Sequence, residues 1–330
     1  MFICLYSVYM FDKNKLKIFA ALSDSSRIRI VSILSKGELS VQDIALILGQ
    51  SQPRVSRHIR ILEDANLIIK NKEGGWVFCK LNRNQEIEKI IDFVCERKES
   101  DKDLSSIDFK RLLELQHNRV QEANDFFYNQ YKDQYYIDSI NKYNDQSIDE
   151  QIVGILSKNI KIPFNNLIDL GTGSGKILSL LSKLSNNCIG VDNNHSILKM
   201  ARARICESEL SNCEIRYGDI TKLDLAKESA DLTILHQVLH YFDNPDSLIE
   251  EAVKLLRKDK YILIVDFEKH QNEFLRKDFS HRRLGFHDEQ IIEMFNRFGC
   301  KLIDKTKGVS VKGPNIDELI VKVWLGMKGK

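Results

Sequence analysis

A glycine-rich run in the second half of the chain has the spacing of a loop that binds a nucleoside. The run GTGSG at residues 171–175 follows the apolar segment 166–170 and precedes apolar residues at helical spacing. Glycines at such a turn let the backbone bend sharply and let a ligand approach, and the following helix offers free N–H groups. Asp192 lies 21 residues after Gly171, where a ribose hydroxyl finds its acceptor. The pattern predicts a nucleoside cofactor.

Further polar residues follow the next apolar segments. Asp219, in a Gly-Asp-Ile run, is expected to accept from an adenine amino group, with Ile220 beside the ring. An NAD-linked dehydrogenase is the main alternative for a glycine loop followed by an acidic residue, but the Gly-Asp-Ile run argues against it. Tyr131, in an upstream aromatic cluster, is a further cofactor candidate. Candidate catalytic bases are His236, His240 and His281.

The elements that must position these residues alternate between strands and helices. Five candidate strands lie between residues 166 and 267, and segments 301–305 and 319–325 bring the expected number to seven. Such alternation predicts an α/β fold with a doubly wound, Rossmann-like sheet. Because ligands of these sheets bind where the parallel strands end, the candidate residues are expected at one edge.

The N-terminal third has the pattern of a helix-turn-helix followed by a β-hairpin. Helices are predicted on both sides of Gly49, and the second carries an apolar face of Val55, Ile59 and Leu62. A Gly-Gly turn at 74–75, between alternating segments, predicts a hairpin that forms a wing. Arginine and glutamine side chains bond phosphates and base edges. The DNA-binding candidates are Gln52, Arg54, Ser56, Arg57, His58 and Arg60.

Composition places the chain among folded proteins of about two domains. It has 330 residues, 43% hydrophobic and 29% charged, which excludes a disordered or fibrous protein. Residues 11–82 hold 12 Lys and Arg against 7 Asp and Glu, so this end is expected to bind an anionic partner, double-stranded DNA. Seven cysteines without paired short spacing favour a reducing cytoplasm and predict no metal site. No apolar run approaches the length of a membrane helix.

The predicted domain boundaries follow these patterns. Residues 11–98 form a winged-helix DNA-binding and dimerisation domain, 99–146 a helical connector, and 147–330 the α/β domain. Within the first domain, the apolar stripe at 87–94 is open to two interpretations, pairing with a second copy or packing on its own domain.

The N-terminal segments resemble the ArsR-type winged helix-turn-helix of bacterial transcriptional repressors. The resemblance rests on residues 22–27, 49–58 and 76–78 and covers about residues 16–82. It implies a homodimer that binds a double-stranded DNA operator. Metal-sensing members hold a pair of cysteines in the third helix, whereas this chain has Ser40 and Gln42 there, so thiolate sensing is not expected.

The second half resembles the class I S-adenosylmethionine-dependent methyltransferases, nearest the ubiquinone-biosynthesis type. The resemblance rests on residues 170–175, 190–192, 218–220 and 235–240, and the stretch 281–286 is similar to one in ArsR–methyltransferase fusions. It implies S-adenosylmethionine as cofactor. The implied contacts are Asp169, Gly171 and Gly173 at the methionine end, with Gly175 in the same loop, Asp192 at the ribose, and Asp219 with Ile220 at the adenine.

Together these resemblances imply a cytoplasmic, dimeric DNA-binding regulator whose second domain methylates a small molecule or senses S-adenosylmethionine or its demethylated product. An alternative is a small-molecule methyltransferase whose winged helix serves only dimerisation. The two differ in whether the chain binds operator DNA in a salt-dependent way.

Overall fold

The computed structural model describes residues 13–73, 75–82, 85–95, 106–115, 117–118, 132–313 and 316–329. The chain divides between residues 116 and 117 into two compact units. None of the helices described is both long and apolar enough to cross a membrane.

The first unit is a helical bundle with a small sheet. Its helices are α1 (Lys13–Leu22), α2 (Ser25–Leu34), α3 (Val41–Leu48), α4 (Gln52–Asp64), α5 (Gln85–Cys95) and α6 (residues 106–115). Its strands are β1 (Leu39–Ser40), β2 (Ile68–Glu73) and β3 (Trp76–Leu81), in the order β1-β3-β2. The antiparallel pair β2 and β3 is the predicted wing.

Local signals set the helix-turn-helix. Ser40 caps α3, and Asp43 completes a capping box by accepting from the Ser40 backbone N–H. Gly49 ends α3 in the left-handed conformation, with φ of 64°, which glycine adopts without the steric cost of a Cβ. Pro53 lies in the first turn of α4, where a backbone donor is not needed. The turn between α3 and α4 is therefore only three residues long, Gly49 to Ser51.

Helix α6 packs on this unit through polar contacts to the end of α3. Arg29 of α2 binds both carboxylate oxygens of Asp108 and donates to the Leu48 carbonyl. Arg111 donates to the Ile47 carbonyl at 3.0 Å. These carbonyls belong to the last turn of α3, where the helix itself supplies no partner. The contacts fasten α6 directly beside the helix-turn-helix turn.

The second unit is an α/β sandwich around one sheet. Its helices are α7 (Lys132–Asn159), α8 (Lys176–Leu181), α9 (His195–Glu207), α10 (Asp246–Leu255), α11 (Phe274–Asp278) and α12 (Asp288–Arg297). Its strands are β4 (Phe164–Leu170), β5 (Ser185–Asp192), β6 (Cys213–Tyr217), β7 (Ala230–His236), β8 (Leu256–Phe267), β9 (Cys300–Lys305), β10 (Val309–Gly313) and β11 (Ile316–Lys328).

The sheet runs β10-β11-β8-β7-β4-β5-β6, with β9 also paired to β11. Strands β6, β5, β4, β7 and β8 are parallel, whereas β11 is antiparallel to its three neighbours. Two clusters of buried apolar side chains form the core of this unit. The ends of β4, β5, β7 and β8 therefore share an edge, which is where the candidate residues lie.

The described sheet has eight strands, one more than the sequence predicts. The additional strand is β10, which pairs with the first half of β11, while β9 pairs with the second half. Only five residues long, β10 gives little periodic signal, and its pairing depends on β11 extending beyond the predicted 319–325.

Candidate cofactor site and DNA-binding helix

The glycine loop between β4 and α8 is closed by hydrogen bonds to its neighbours. The backbone N–H groups of Gly171 and Thr172 both donate to the Val191 carbonyl, at 2.8 and 3.0 Å. Gly171 has φ of 79°, and a Cβ there would lie 2.8 Å from a methyl carbon of Val238. A side chain at Gly171 would therefore be strained and would clash with the loop after β7.

Asp192, at the end of β5, joins this loop to the next helix. Its Oδ2 accepts from the Gly173 N–H at 3.0 Å, and its Oδ1 accepts from the Asn194 N–H at 2.9 Å. The Asn194 side chain in turn caps α9. Burial raises the pKa of Asp192, and these backbone hydrogen bonds oppose the rise. One carboxylate thus fixes the glycine loop and the start of α9 relative to each other.

Asp169 is a buried carboxylate with an unused oxygen. Its Oδ2 accepts from the Thr172 hydroxyl at 2.7 Å, but its Oδ1 has no hydrogen-bond partner among the described residues. Burial raises the pKa of Asp169 to about 7; the Thr172 hydrogen bond opposes this and the charge of Asp192 adds to it. A buried unpaired oxygen is costly, so it is suited to a ligand that brings a donor or a positive charge.

Asp219 and Ile220 follow β6, at the same edge of the sheet. Asp219 Oδ1 accepts from both the backbone and the hydroxyl of Thr221, at 2.9 and 2.7 Å, and the hydroxyl bond is the first cause of its lowered pKa. Ile220 is buried, and its Cδ1 would lie 3.8 Å from a Cβ on Gly171. The structure therefore brings Ile220 to the glycine loop, while Tyr131 lies outside the described residues.

An aromatic pair beside this site was not predicted from the sequence. The rings of His195 and Tyr217 stack with centroids 3.8 Å apart and 2° between their planes. His195 begins α9 and Tyr217 ends β6, so both lie at the edge that carries Asp192. The position of Tyr217 directly before the Gly-Asp-Ile run was the available signal.

The predicted histidines lie around the ends of β7 and β8. His240 Nδ1 is 2.8 Å from Asp266 Oδ1, and both side chains are buried. The ring of His281 stacks on His240 at 4.1 Å between centroids. His236, at the end of β7, is partly buried, and burial lowers its pKa to about 3. His270, which was not predicted, is also buried nearby, against Phe267.

Three imidazole nitrogens of this group are buried without a hydrogen-bond partner among the described residues. They are His240 Nε2, His270 Nε2 and His281 Nδ1. Burial lowers the pKa of His270 to about 4 and that of His281 to about 3, so both rings are neutral near pH 7. Within the described part of the chain, no three His, Cys, Asp or Glu residues are arranged to hold a metal ion.

On α4, five of the six DNA-binding candidates are exposed and one is buried. His58 is 9% exposed, so its prediction as a groove-facing residue is wrong. It lies three residues after Val55 and four before Leu62, which places it on the buried stripe of the helix. Burial is the first cause of its lowered pKa. The exposed candidates are Gln52, Arg54, Ser56, Arg57 and Arg60.

Comparisons with known proteins divide the chain in the same way. A family described as "Bacterial regulatory protein, arsR family" matches residues 24–70, and a "Methyltransferase domain" family matches residues 165–298. The chain is 41% identical over 68 residues to the arsenical resistance operon repressor of Escherichia coli, covering 20% of this chain and 58% of the repressor. It is 34% identical over 65 residues to the transcriptional repressor SdpR of Bacillus subtilis, covering 20% of this chain and 72% of SdpR.

Solved structures are similar to part of this chain. The magnesium protoporphyrin IX methyltransferase of Synechocystis, solved with bound SAH, is 14% identical and covers 62% of this chain and 97% of its own, with a TM-score of 0.49. The chain spans little more than half the length of the E. coli repressor. This chain belongs to the arsR family of bacterial regulatory proteins, and it carries a methyltransferase domain.

Proposed function

We propose that the chain is a DNA-binding regulator whose second unit binds S-adenosylmethionine and methylates a small molecule. The observation that supports the cofactor most directly is the closed glycine loop tied to Asp192 beside the unpaired Oδ1 of Asp169. When bound, S-adenosylmethionine supplies an electrophilic methyl group on a positively charged sulfur. The residues of this chain bind and orient it.

In this proposal each acidic residue binds a different part of the cofactor. Asp169, with Gly171, Gly173 and Gly175, holds the methionine end, where the carboxylate attracts the ammonium group. Asp192 accepts from the ribose hydroxyls in addition to its two backbone donors, since a carboxylate has about four acceptor sites. Asp219 accepts from the adenine amino group through Oδ2, and Ile220 packs on the ring.

Calorimetry tests this assignment. Replacing Asp192 with Ala removes the ribose acceptor and frees the loop, so the affinity for S-adenosylmethionine and for its demethylated product should fall at least about tenfold. The matched control is Asp259→Asn, because Asp259 is exposed in the irregular first part of β8 and has φ of 56°, which asparagine tolerates. Unchanged affinity in Asp192→Ala refutes the assigned site.

The first unit binds double-stranded operator DNA as a homodimer in this proposal. Exposed arginines of α4 enter the major groove, and the wing lies beside it. Ile87 and Ile91 are buried within their own unit, which favours the second interpretation of that stripe. The dimer surface is instead assigned to exposed apolar side chains of α1 and α5, namely Leu16, Phe19 and Phe93. Sedimentation of Phe19→Glu should show a shift to monomer, whereas an unchanged dimer refutes this surface.

The salt dependence of DNA binding distinguishes two hypotheses: a DNA-binding regulator, and a methyltransferase whose winged helix serves only dimerisation. Gel-shift titration with the DNA upstream of its own gene should give an affinity that falls steeply with salt. Equal, weak binding to that DNA and to a scrambled sequence would favour the enzyme alone.

A further inference from the structure

The contacts of the buried pair of His240 and Asp266 fix the orientation and the tautomer of the His240 ring. Asp266 Oδ1 contacts His240 Nδ1 at 2.8 Å and accepts from its own neighbour, the Phe267 N–H, at 2.8 Å. Its Oδ2 accepts from the backbone N–H groups of Leu239 and His240, at 3.1 and 3.4 Å. An ionised carboxylate only accepts, so Nδ1 of His240 carries the proton and Nε2 has the free lone pair.

That lone pair is buried without a partner. His240 is 2% exposed, and its Nε2 contacts no donor among the described residues. An unsatisfied buried acceptor costs free energy, so a site that retains one is suited to a ligand that donates a hydrogen bond. The titratable side chains around His240 are Asp266 from β8, His236 from β7, Tyr241 beside it, and His270 and His281 from the loops that follow β8 and α11.

The pair lies beside the candidate cofactor site. Val238, two residues before His240, is the residue that a Cβ on Gly171 would strike. His236, four residues before His240, ends β7. Burial is the largest cause of its lowered pKa, and the charge of Lys176, at the start of α8, is the second. His236 therefore lies close to the start of α8. The segment 236–240 therefore runs from the glycine loop to Asp266.

From this geometry we propose that His240 is the general base for the methyl acceptor, that Asp266 is its positioning residue, and that the acceptor is a neutral O–H or S–H compound. This inference rests on the proposed methyltransferase function. As the acceptor atom forms its bond to the methyl carbon, the methyl–sulfur bond breaks and sulfur keeps the electron pair. The acceptor proton passes to Nε2 of His240, so charge and atoms balance.

The presence of a base favours a neutral acceptor over an anionic one. The rings of His270 and His281 are uncharged near pH 7, so neither ring supplies a positive charge to an anionic acceptor. Phenols and thiols keep their proton at that pH, so a base is useful to them. A carboxylate acceptor has no proton to lose near pH 7 and would need no base.

The test uses the full chain and labelled S-adenosylmethionine with a small-molecule extract of the organism that carries the gene. Label transferred to extract compounds gives a rate before the acceptor has been identified, and mass spectrometry then identifies the product. His240→Gln should lower this rate about a hundredfold or more while calorimetry shows unchanged cofactor affinity. The control His287→Asn, at an exposed helix cap, should keep the rate.

The positioning role has two readouts that a structural role would not change. In Asp266→Asn the acidic limb of the pH–rate profile should change, because Nδ1 of His240 loses its carboxylate partner. Nitrogen-15 NMR of labelled histidine, without cofactor, should show His240 protonated at Nδ1 in wild type and a mixture of tautomers in Asp266→Asn. Asp259→Asn is the control for both.

The outcomes separate the two proposals. A wild-type protein that transfers no label refutes turnover and with it the base. Full transfer by His240→Gln refutes the base but leaves the methyltransferase function in place. An unchanged limb and tautomer in Asp266→Asn refute the positioning role, and a methylated carboxylate as the product refutes the acceptor class.

Discussion

Arg29 and Asp108, 79 residues apart, form a two-pronged ion pair at 2.6 and 2.7 Å that joins α2 to α6. Asp108 is 2% exposed at its side chain and Arg29 17%, so the pair is largely shielded from water. The hydrogen bonds that Arg29 donates to the Asp108 carboxylate raise the pKa of Arg29. A buried pair of this kind is costly to break because the remaining charge has no partner.

Asp108→Ala is therefore expected to destabilise the first unit by about 3 kcal/mol. Urea unfolding followed by circular dichroism measures it. The control is Glu114→Gln, which removes the exposed pair of Lys110 and Glu114 at 4.0 Å and should change stability by less than about 0.5 kcal/mol. Equal losses in the two variants would show that α6 is not fastened by Arg29.

The arginines of α4 should contribute to DNA affinity through phosphates and bases. Arg54→Ala and Arg57→Ala are each expected to weaken operator binding by about 1–3 kcal/mol, and a phosphate contact also lowers the slope of log K against log salt by about 1. Fluorescence anisotropy at several salt concentrations measures both. Lys110→Ala, at an exposed position on α6, should leave the slope unchanged.

Gly171 should tolerate no side chain. Gly171→Ala places a Cβ 2.8 Å from Val238 at a φ of 79°, so we expect a loss of about 2 kcal/mol or more together with weaker cofactor binding. The control Gly154→Ala, in α7 with open space around its Cβ, should stabilise the protein by up to about 1 kcal/mol. Thermal unfolding compares the two, and equal stability of both variants would contradict the close approach of the loop.

Asp169 should make the stability of the ligand-free protein fall as pH rises. Its folded pKa of about 7 lies above its unfolded value, so its contribution is complete below about pH 4 and is lost as pH increases towards 7. Asp169→Asn should remove this loss and be more stable than wild type at pH 8, by up to about 4 kcal/mol. Urea unfolding at pH 5 and pH 8 measures the difference. A variant less stable than wild type at pH 8 would contradict the raised pKa.

Residues with strong local signals were predictable. The capping pair of Ser40 and Asp43, the left-handed Gly49 and the glycine loop each depend on a few consecutive residues, and all lie where the sequence indicates. The parallel order of β4 to β8 follows from alternating strands and helices, so the shared edge that carries Asp192 was predictable too.

Features that depend on residues distant in the sequence could not be predicted. His58 is buried because of the packing around α4, which the sequence alone does not show. Its polar side chain suggested an exposed position, although it lies on the apolar stripe of the helix. In the sequence, Asp266 is an ordinary acidic residue near the end of a strand. Its contact with His240 is seen only in the folded structure. The strand β10 exists because β11 is long enough to pair with it.

Dissection of the chain is constrained by α6. The family match ends at residue 70 and α5 ends at Cys95, either of which suggests a place to cut. A fragment that stops at either residue lacks Asp108, so the guanidinium of Arg29 has no carboxylate partner. It also lacks the buried side chain of Leu112, so the apolar surface that Leu112 covers becomes exposed. A DNA-binding fragment suitable for separate expression should therefore extend through residue 115.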